Sequence, residues 1–404
     1  MSEIGQIQRG TLIRKLLRIS AIGVGVIAGP GVLFVLPYLL PLEEFSSFAA
    51  VLAIAQLIGN LGALSLDVSC PRLGIKFHWA AVYCLVSVLL ASAVVHFGLG
   101  GNLNEKFIVG GLIAWVSTLT AILLSYPLFA AKAKLYGVVG LLKALAFLFI
   151  LILSLRLGVI PAMAWLIAAM CSLFVVAVIL KFKGGQDLIR RNSQSGWKDV
   201  VRFSAPLAVI VTTSALPFVL DRAIGQQLLS TTEFARYAVA VTWAVPIIYI
   251  GNIIQQSIIA STRYDTLRTT LYWAGWLFVM SLLYISLVAI LSLYFVRVPY
   301  FVDGLDFIHL WGWIVGWYAI YSAINFPLAA VMQKHFSAFQ FKTLAYVNAG
   351  VIGSWLIFSY SLYTNFDSLG WTVNKTITLI LFTAIFAALG MSAKAVFVYR
   401  HLAK

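Results

Sequence analysis

Charge is scarce in this chain, and negative charge is scarcer still. Aspartate and glutamate number 13 against 28 lysines and arginines, and charged residues make up 10% of the 404. A soluble globular domain carries about 25%. With 62% of residues hydrophobic and a mean hydropathy of +0.99, too little polar surface exists to face water. Lipid is therefore the expected solvent for most of the chain. Short strands of alternating polarity are lacking too, which excludes a transmembrane β-barrel. An all-α, multi-pass integral membrane protein remains, because spanning helices satisfy their own backbone groups.

Other absences narrow the chemistry. The three cysteines, Cys70, Cys84 and Cys171, are scattered without metal-ligand spacing and read as small apolar side chains. His78, His96, His309, His335 and His401 stand singly near span ends or in loops. No catalytic constellation, metal site or cofactor is expected, and the chain reads as a non-enzyme. The loops are too short for a catalytic domain, which weighs against a polysaccharide polymerase. No cleavable signal peptide is expected either, since the first apolar run is full length and lacks a small-residue cleavage site.

What is present is a series of apolar runs, at 16–38, 46–68, 78–99, 107–130, 136–156, 162–180, 203–224, 236–259, 271–295, 305–328, 343–363 and 371–393. Each is long enough for a membrane helix, giving about twelve spans. Between the sixth and seventh lies the longest polar run, Lys181 to Arg202, with six basic residues against Asp187 and Asp199. Its glycines, serines and asparagine favour a linker. The chain therefore divides into a six-helix lobe at 1–185, a basic linker at 186–202 and a second six-helix lobe at 203–404. With the N-terminus in the cytosol, 22 of the 28 lysines and arginines fall on the cytosolic side, Lys143, Lys394 and Arg400 among them. Only Lys106, Arg156, Arg222, Arg236, Arg297 and Lys375 fall opposite, so both termini are expected to be cytosolic. That asymmetry accounts for most of the basic excess without a nucleic-acid partner.

An internal repeat supports two lobes. A shift of 184 residues aligns Arg18-Ile-Ser-Ala21 with Arg202-Phe-Ser-Ala205, and Phe34-Val-Leu36 with Phe218-Val-Leu220. After a five-residue gap, Glu44-Phe-Ser-Ser-Phe-Ala49 aligns with Glu233-Phe-Ala-Arg-Tyr-Ala238. An even number of spans per lobe inserts both copies in the same direction, so the symmetry axis runs along the membrane normal. Both lead helices carry a proline, Pro30 and Pro217. Each is a hinge or a tolerated irregularity.

Polar groups within or at the rims of the spans are the candidate site residues, because a charge at the bilayer centre costs about 2.5–3.5 kcal/mol and so faces the bundle interior or water. Asp67 either pairs with Arg72, one helical turn away, or couples transport to an ion. Lys143 either snorkels to the cytosol or presents a cation to a cavity. Asp221 and Arg222 close the seventh span; Asp221 is an ion-coupling candidate or a surface partner of Arg236 or Arg297. Asn252, Gln255 and Gln256 share a face of the eighth span, and Asn60, Asn325 and Asn348 add amides elsewhere. They bond helix to helix or line a cavity. Trp311, Trp313 and Trp317 form an interfacial belt or stack on sugar rings.

A basic N-terminus, twelve spans in two halves, Arg202-Phe-Ser-Ala-Pro-Leu207 followed by Leu220-Asp-Arg222, and Glu233-Phe-Ala-Arg-Tyr237 together resemble the O-antigen flippases. These form the polysaccharide-exporter branch of the multidrug/oligosaccharidyl-lipid/polysaccharide exporter superfamily. Ala235 departs from the glycine usual in that last motif. The resemblance implies two lobes around a central cavity open to one side at a time, in a bacterial cytoplasmic (inner) membrane. It implies, as substrate, an undecaprenyl-pyrophosphate-linked oligosaccharide moved from the inner to the outer leaflet. Membrane lipids, a polysaccharide polymerase and a chain-length regulator are the implied contacts. The alternatives are a multidrug exporter of the same superfamily, which should show acids deep in its cavity, and a membrane-embedded polymerase or acyltransferase.

Overall fold

The computed structural model describes residues 33–98, 105–130, 132–182, 197–215, 229–259, 267–335, 342–351 and 375–402, with positions 219, 221, 222, 225, 226, 340, 353 and 354 between them. Among these, every regular element is a helix. The first half contains α1 (Leu42–Ala63), α2 (Leu66–Leu73), α3 (Phe77–Gly98), α4 (Glu105–Phe129), α5 (Ala133–Arg156) and α6 (Pro161–Phe182). The second contains α7 (Trp197–Ala215), α8 (Thr231–Ile259), α9 (Leu267–Tyr294), α10 (Gly304–His335) and α11 (Lys375–Leu402). Nine of the described helical stretches are long and apolar enough to cross a membrane, α1 and α2 counting together as one.

Local chemistry starts several of these helices. Ser230 and Glu233 make a reciprocal capping box at α8: the Ser230 amide and hydroxyl donate to Glu233 Oε2 at 2.9 and 2.8 Å, and the Glu233 amide donates back to Ser230 Oγ. Asp303 Oδ1 accepts the Asp306 amide at 2.8 Å before α10. Pro161 opens α6, where its missing N–H costs nothing.

Most helices are apolar on every side, so size and fit decide which face turns inward. On α3 the buried side is Ala80, Cys84, Val88, Ala91 and Val95, whereas Leu89, Leu90, Val94 and Phe97 face outward, between 60 and 79% exposed. Lipid is as apolar as leucine, so close packing of small residues holds such helices together. Gly62 shows the limit of that approach: a Cβ on it would lie 2.8 Å from the Val88 backbone of α3.

Within the first half α1 packs on α4 and α5 on α6; within the second α10 packs on α8, α9 and α11. The halves meet where α1 crosses α8. Phe45 and Phe48 of α1 lie in one buried cluster with their repeat mates Phe234 and Tyr237 of α8. Beside them the Tyr300 hydroxyl donates to the Leu40 carbonyl at 2.8 Å, joining the turn before α10 to the turn before α1.

Most described spans begin and end within a few residues of their expected positions; the second, seventh, tenth and twelfth depart, the tenth running on to His335. The second span is not one rod: Leu64 and Ser65 separate α1 from α2. The seventh begins at Trp197, so the last six residues assigned to the linker are helical, while 183–196 lie outside the described residues. The first span to residue 32, most of the eleventh, and both Pro30 and Pro217 also lie outside them. The twelfth runs on to Leu402, and this corrects the assignment of Lys394 to a loop. Lys394 is 2% exposed, and its Nζ donates to Asn325 Oδ1 of α10 at 2.7 Å.

Candidate functional site

A cavity of about 510 Å³ lies inside the first half, walled by α1, the α1–α2 break, α4, α5 and α6. Helical spacing builds its walls. Ala55, Gln56, Gly59, Asn60 and Ala63 recur every three or four residues on one face of α1, as do Ala114, Ser117, Thr118 and Ala121 on α4. Lys143 and Phe147 come from α5, Trp165 and Ser172 from α6, and Tyr249 from α8 in the other half. Small and hydroxylated residues leave the space, and the two charges, Lys143 and Asp67, face into it.

Lys143 stands ten residues into α5, roughly 15 Å from its start, which is about half of a bilayer core. The cavity, not the membrane surface, receives its side chain. Asp67 lies in the first turn of α2, where a helix N-terminus favours an anion. It lines the cavity and makes no ion pair with Arg72, whose guanidinium lies 5.0 Å from the centre of the Phe203 ring on α7. Nor do Asp67 and Lys143 pair with each other among the described residues.

The break between α1 and α2 is a strained feature. Leu64 and Ser65 have φ of 41° and 54°, left-handed values that cost a side-chain-bearing residue about 1–3 kcal/mol each. The break is brought to the cavity wall by Ala63, Ser65 and Asp67. The Ser65 carbonyl caps α2 by accepting the Val68 and Ser69 amides at 3.1 and 2.9 Å. Its Oγ is buried and has no hydrogen-bond partner, and the same holds for Oε1 of Gln56.

A second polar cluster sits elsewhere. Asp221 is 1% exposed; it accepts the Tyr237 hydroxyl at Oδ2 and the Arg222 amide at Oδ1, the latter at 2.6 Å. The Arg222 Nε lies 3.9 Å from the same Oδ1, so the neighbours touch despite pointing apart along the helix. Arg236 instead pairs with Asp306 and covers the Phe301 ring at 4.8 Å. Burial thus removes Asp221 from the surface pair expected with Arg236 or Arg297.

The remaining candidates scatter. Asn60 lines the cavity; Asn252 and Gln255 are half-buried one to two turns beyond Tyr249 and do not. The side chain of Gln256 lies outside the described residues. Trp311 is 1% exposed and stacks on Phe307 with ring centres 5.6 Å apart, so it is core. Trp313 faces outward, and Trp317 sets its edge against Tyr318 and Tyr321. These three tryptophans form no common platform. Gln56, Ser65, Thr118, Trp165 and Tyr249 were not anticipated. Gln56 had a signal, since it lies one turn before Asn60 on the same face, and Tyr249 is the repeat mate of Asn60. Trp165 had none.

No family model matches the chain, and no curated protein matches it. Solved structures do. A MATE in complex with MaD3S aligns with a TM-score of 0.62 at 12% identity, over 96% of this chain and 97% of that one. A MATE point mutant aligns with a TM-score of 0.62 at 14% identity, over 96% of both chains. The eukaryotic MATE transporter AtDTX14 aligns with a TM-score of 0.55 at 14% identity, over 97% and 96%. The chain shares the two-lobed, all-helical fold of the MATE transporters.

Proposed function

We propose that this protein is a multi-pass membrane transporter that moves amphipathic solutes by alternating access of the cavity in its first half. The observation that carries this reading is the cavity itself: a largely apolar space that holds two ionisable side chains, Lys143 and Asp67, and is closed partly by Tyr249 from the opposite half. Relative movement of the halves alters that wall, which is what alternating access requires. The fold likeness favours the drug-exporter reading, since the neighbours are MATE transporters. Asp67 on the cavity wall supplies the acid expected of such an exporter.

A second substrate reading keeps one specific observation. Lys143 presents a cation to the cavity without a carboxylate partner among the described residues. It suits the pyrophosphate of a lipid-linked oligosaccharide, the class that the seventh- and eighth-span motifs resemble, moved across a bacterial inner membrane with both termini cytosolic. Proteoliposomes separate the two. Uptake of a fluorescent organic cation and leaflet exchange of a labelled polyprenyl-pyrophosphate oligosaccharide are measured on the parent, Lys143→Ala and Lys143→Arg. Cation transport that survives Lys143→Ala assigns the exporter. Oligosaccharide flipping that falls at least roughly tenfold in Lys143→Ala and recovers in Lys143→Arg assigns the flippase. Transport of neither class rejects the proposal.

A further inference from the structure

Where α5 ends and α6 begins, the first half holds a second cavity, a groove of about 750 Å³. We propose that it seats the headgroup of an ethanolamine phospholipid of the bilayer, with Arg156 on the phosphate and Glu44 on the ammonium. Both charged residues line the groove, Arg156 as the last residue of α5 and Glu44 in the first turn of α1. Both are exposed, and neither makes an ion pair among the described residues. Two opposite charges thus share one small space without neutralising each other. Leu39 and Ile160 line it as well and are 60 and 63% exposed, so the groove opens away from the core.

Depth decides what fills it. α5 has 24 residues, about 36 Å of helix, against a hydrocarbon core of about 30 Å. Its last residue therefore stands at headgroup level, where basic side chains meet lipid phosphates. A basic residue in a last turn often bonds the final helix carbonyls. Here backbone amides take that role: Leu157 donates to Leu153, Gly158 to Leu155 and Val159 to Ser154, at 3.0, 3.1 and 3.1 Å. The Arg156 side chain is left to the groove. Gly158 makes this turn at a φ of 77°, and a Cβ on it would meet nothing within 4 Å, so the space beside Arg156 stays open.

The two charges select the headgroup. A guanidinium donates to a phosphate and a primary ammonium donates to a carboxylate, both in charge-assisted bonds. A choline headgroup carries the same charges but has no N–H to donate to Glu44. A glycerol headgroup keeps the phosphate and lacks the ammonium. The apolar part of the wall, with Ile152 and Leu155, suits the start of the acyl chains. Leu40 also lines the groove, and its carbonyl accepts the Tyr300 hydroxyl, so the lipid rests against the turn that joins the halves.

Binding here stands apart from transport, because neither Arg156 nor Glu44 lines the larger polar cavity. Full-length protein, stripped of lipid in a nonionic detergent, is titrated with mixed micelles of ethanolamine, choline or glycerol phospholipid with identical chains. Thermal unfolding is followed. The ethanolamine lipid should raise Tm saturably by about 3 °C or more, with a midpoint at least roughly fivefold lower than that of either other lipid. Arg156→Gln should weaken all three lipids, and Glu44→Gln should bring the ethanolamine midpoint to that of choline. Both side chains are exposed, so both variants stay folded. Equal midpoints, a preference for either other headgroup, an ethanolamine midpoint unchanged in either variant, or no saturable shift overturns the assignment.

Discussion

Tyr237 donates its hydroxyl to Asp221, and both residues are 1% exposed. The positions that match them in the first half of the repeat hold Phe48 and Pro37. Two places where the halves differ chemically thus bond to each other. The pair lets the second half keep a carboxylate where its twin needs none.

Tyr237→Phe restores the twin's residue and removes the donor. Oδ2 of the buried carboxylate then loses its donor while Oδ1 keeps the Arg222 amide, which should cost about 1–3 kcal/mol in unfolding. Asp221→Asn should cost less, since the amide oxygen still accepts the hydroxyl. A double-mutant cycle with Asp221→Leu should show a coupling of about 1 kcal/mol or more. A coupling near zero would mean that the two side chains stabilise the helices independently.

Asn325 is the acceptor for the buried Lys394 ammonium. Asn325→Leu removes this acceptor from a buried ammonium and should lower stability by about 1–3 kcal/mol. Lys394→Met removes the charge with similar bulk, and such replacements are often neutral or stabilising. Melting of the two purified variants checks the order. Equal loss in both would show that Lys394 stabilises through packing.

Tyr300 ties the halves together at the end of the bundle that holds the Leu40 turn. Its φ is 68°, a strained value for a non-glycine residue, and its ring lies 5.7 Å from that of Phe45. Partial burial pushes its phenol above the ordinary range, so it remains a donor. Tyr300→Phe deletes a bond worth about 0.5–1.5 kcal/mol and should raise the population opened at this end several-fold. Spin labels on Gly158 and Val302 read that opening as a longer distance component. An unchanged distance distribution would show that the aromatic cluster alone keeps the halves closed.

The basic excess predicts orientation. Single cysteines at Ser195 and Ser368, in a background lacking Cys70, Cys84 and Cys171, are probed on intact cells with a membrane-impermeant thiol reagent. Ser368→Cys should label and Ser195→Cys should not. The reverse pattern inverts the topology.

Composition and hydropathy were enough to specify an all-helical membrane chain in two halves, because the cost of an unsatisfied backbone in lipid leaves so few alternatives. Span positions followed from the same cause: the bilayer fixes their length. Lys143, Asp67 and Asn60 stood out because a polar group at membrane depth is conspicuous against apolar neighbours. Which way they face was not legible, since the helices are apolar on all sides and periodicity cannot distinguish a lipid face from a packed one. Lys394 shows this plainly: one residue past the expected end of an apolar run it reads as a loop cation, until α10 covers it and offers Asn325. The break at Leu64–Ser65 carries no glycine or proline to announce it; Gly62 packs on α3 just before it and Leu66 in the core just after it. Asp221 and Tyr237 lie 16 residues apart on different elements, and only the packing of α8 against the end of the seventh span decided that they would meet.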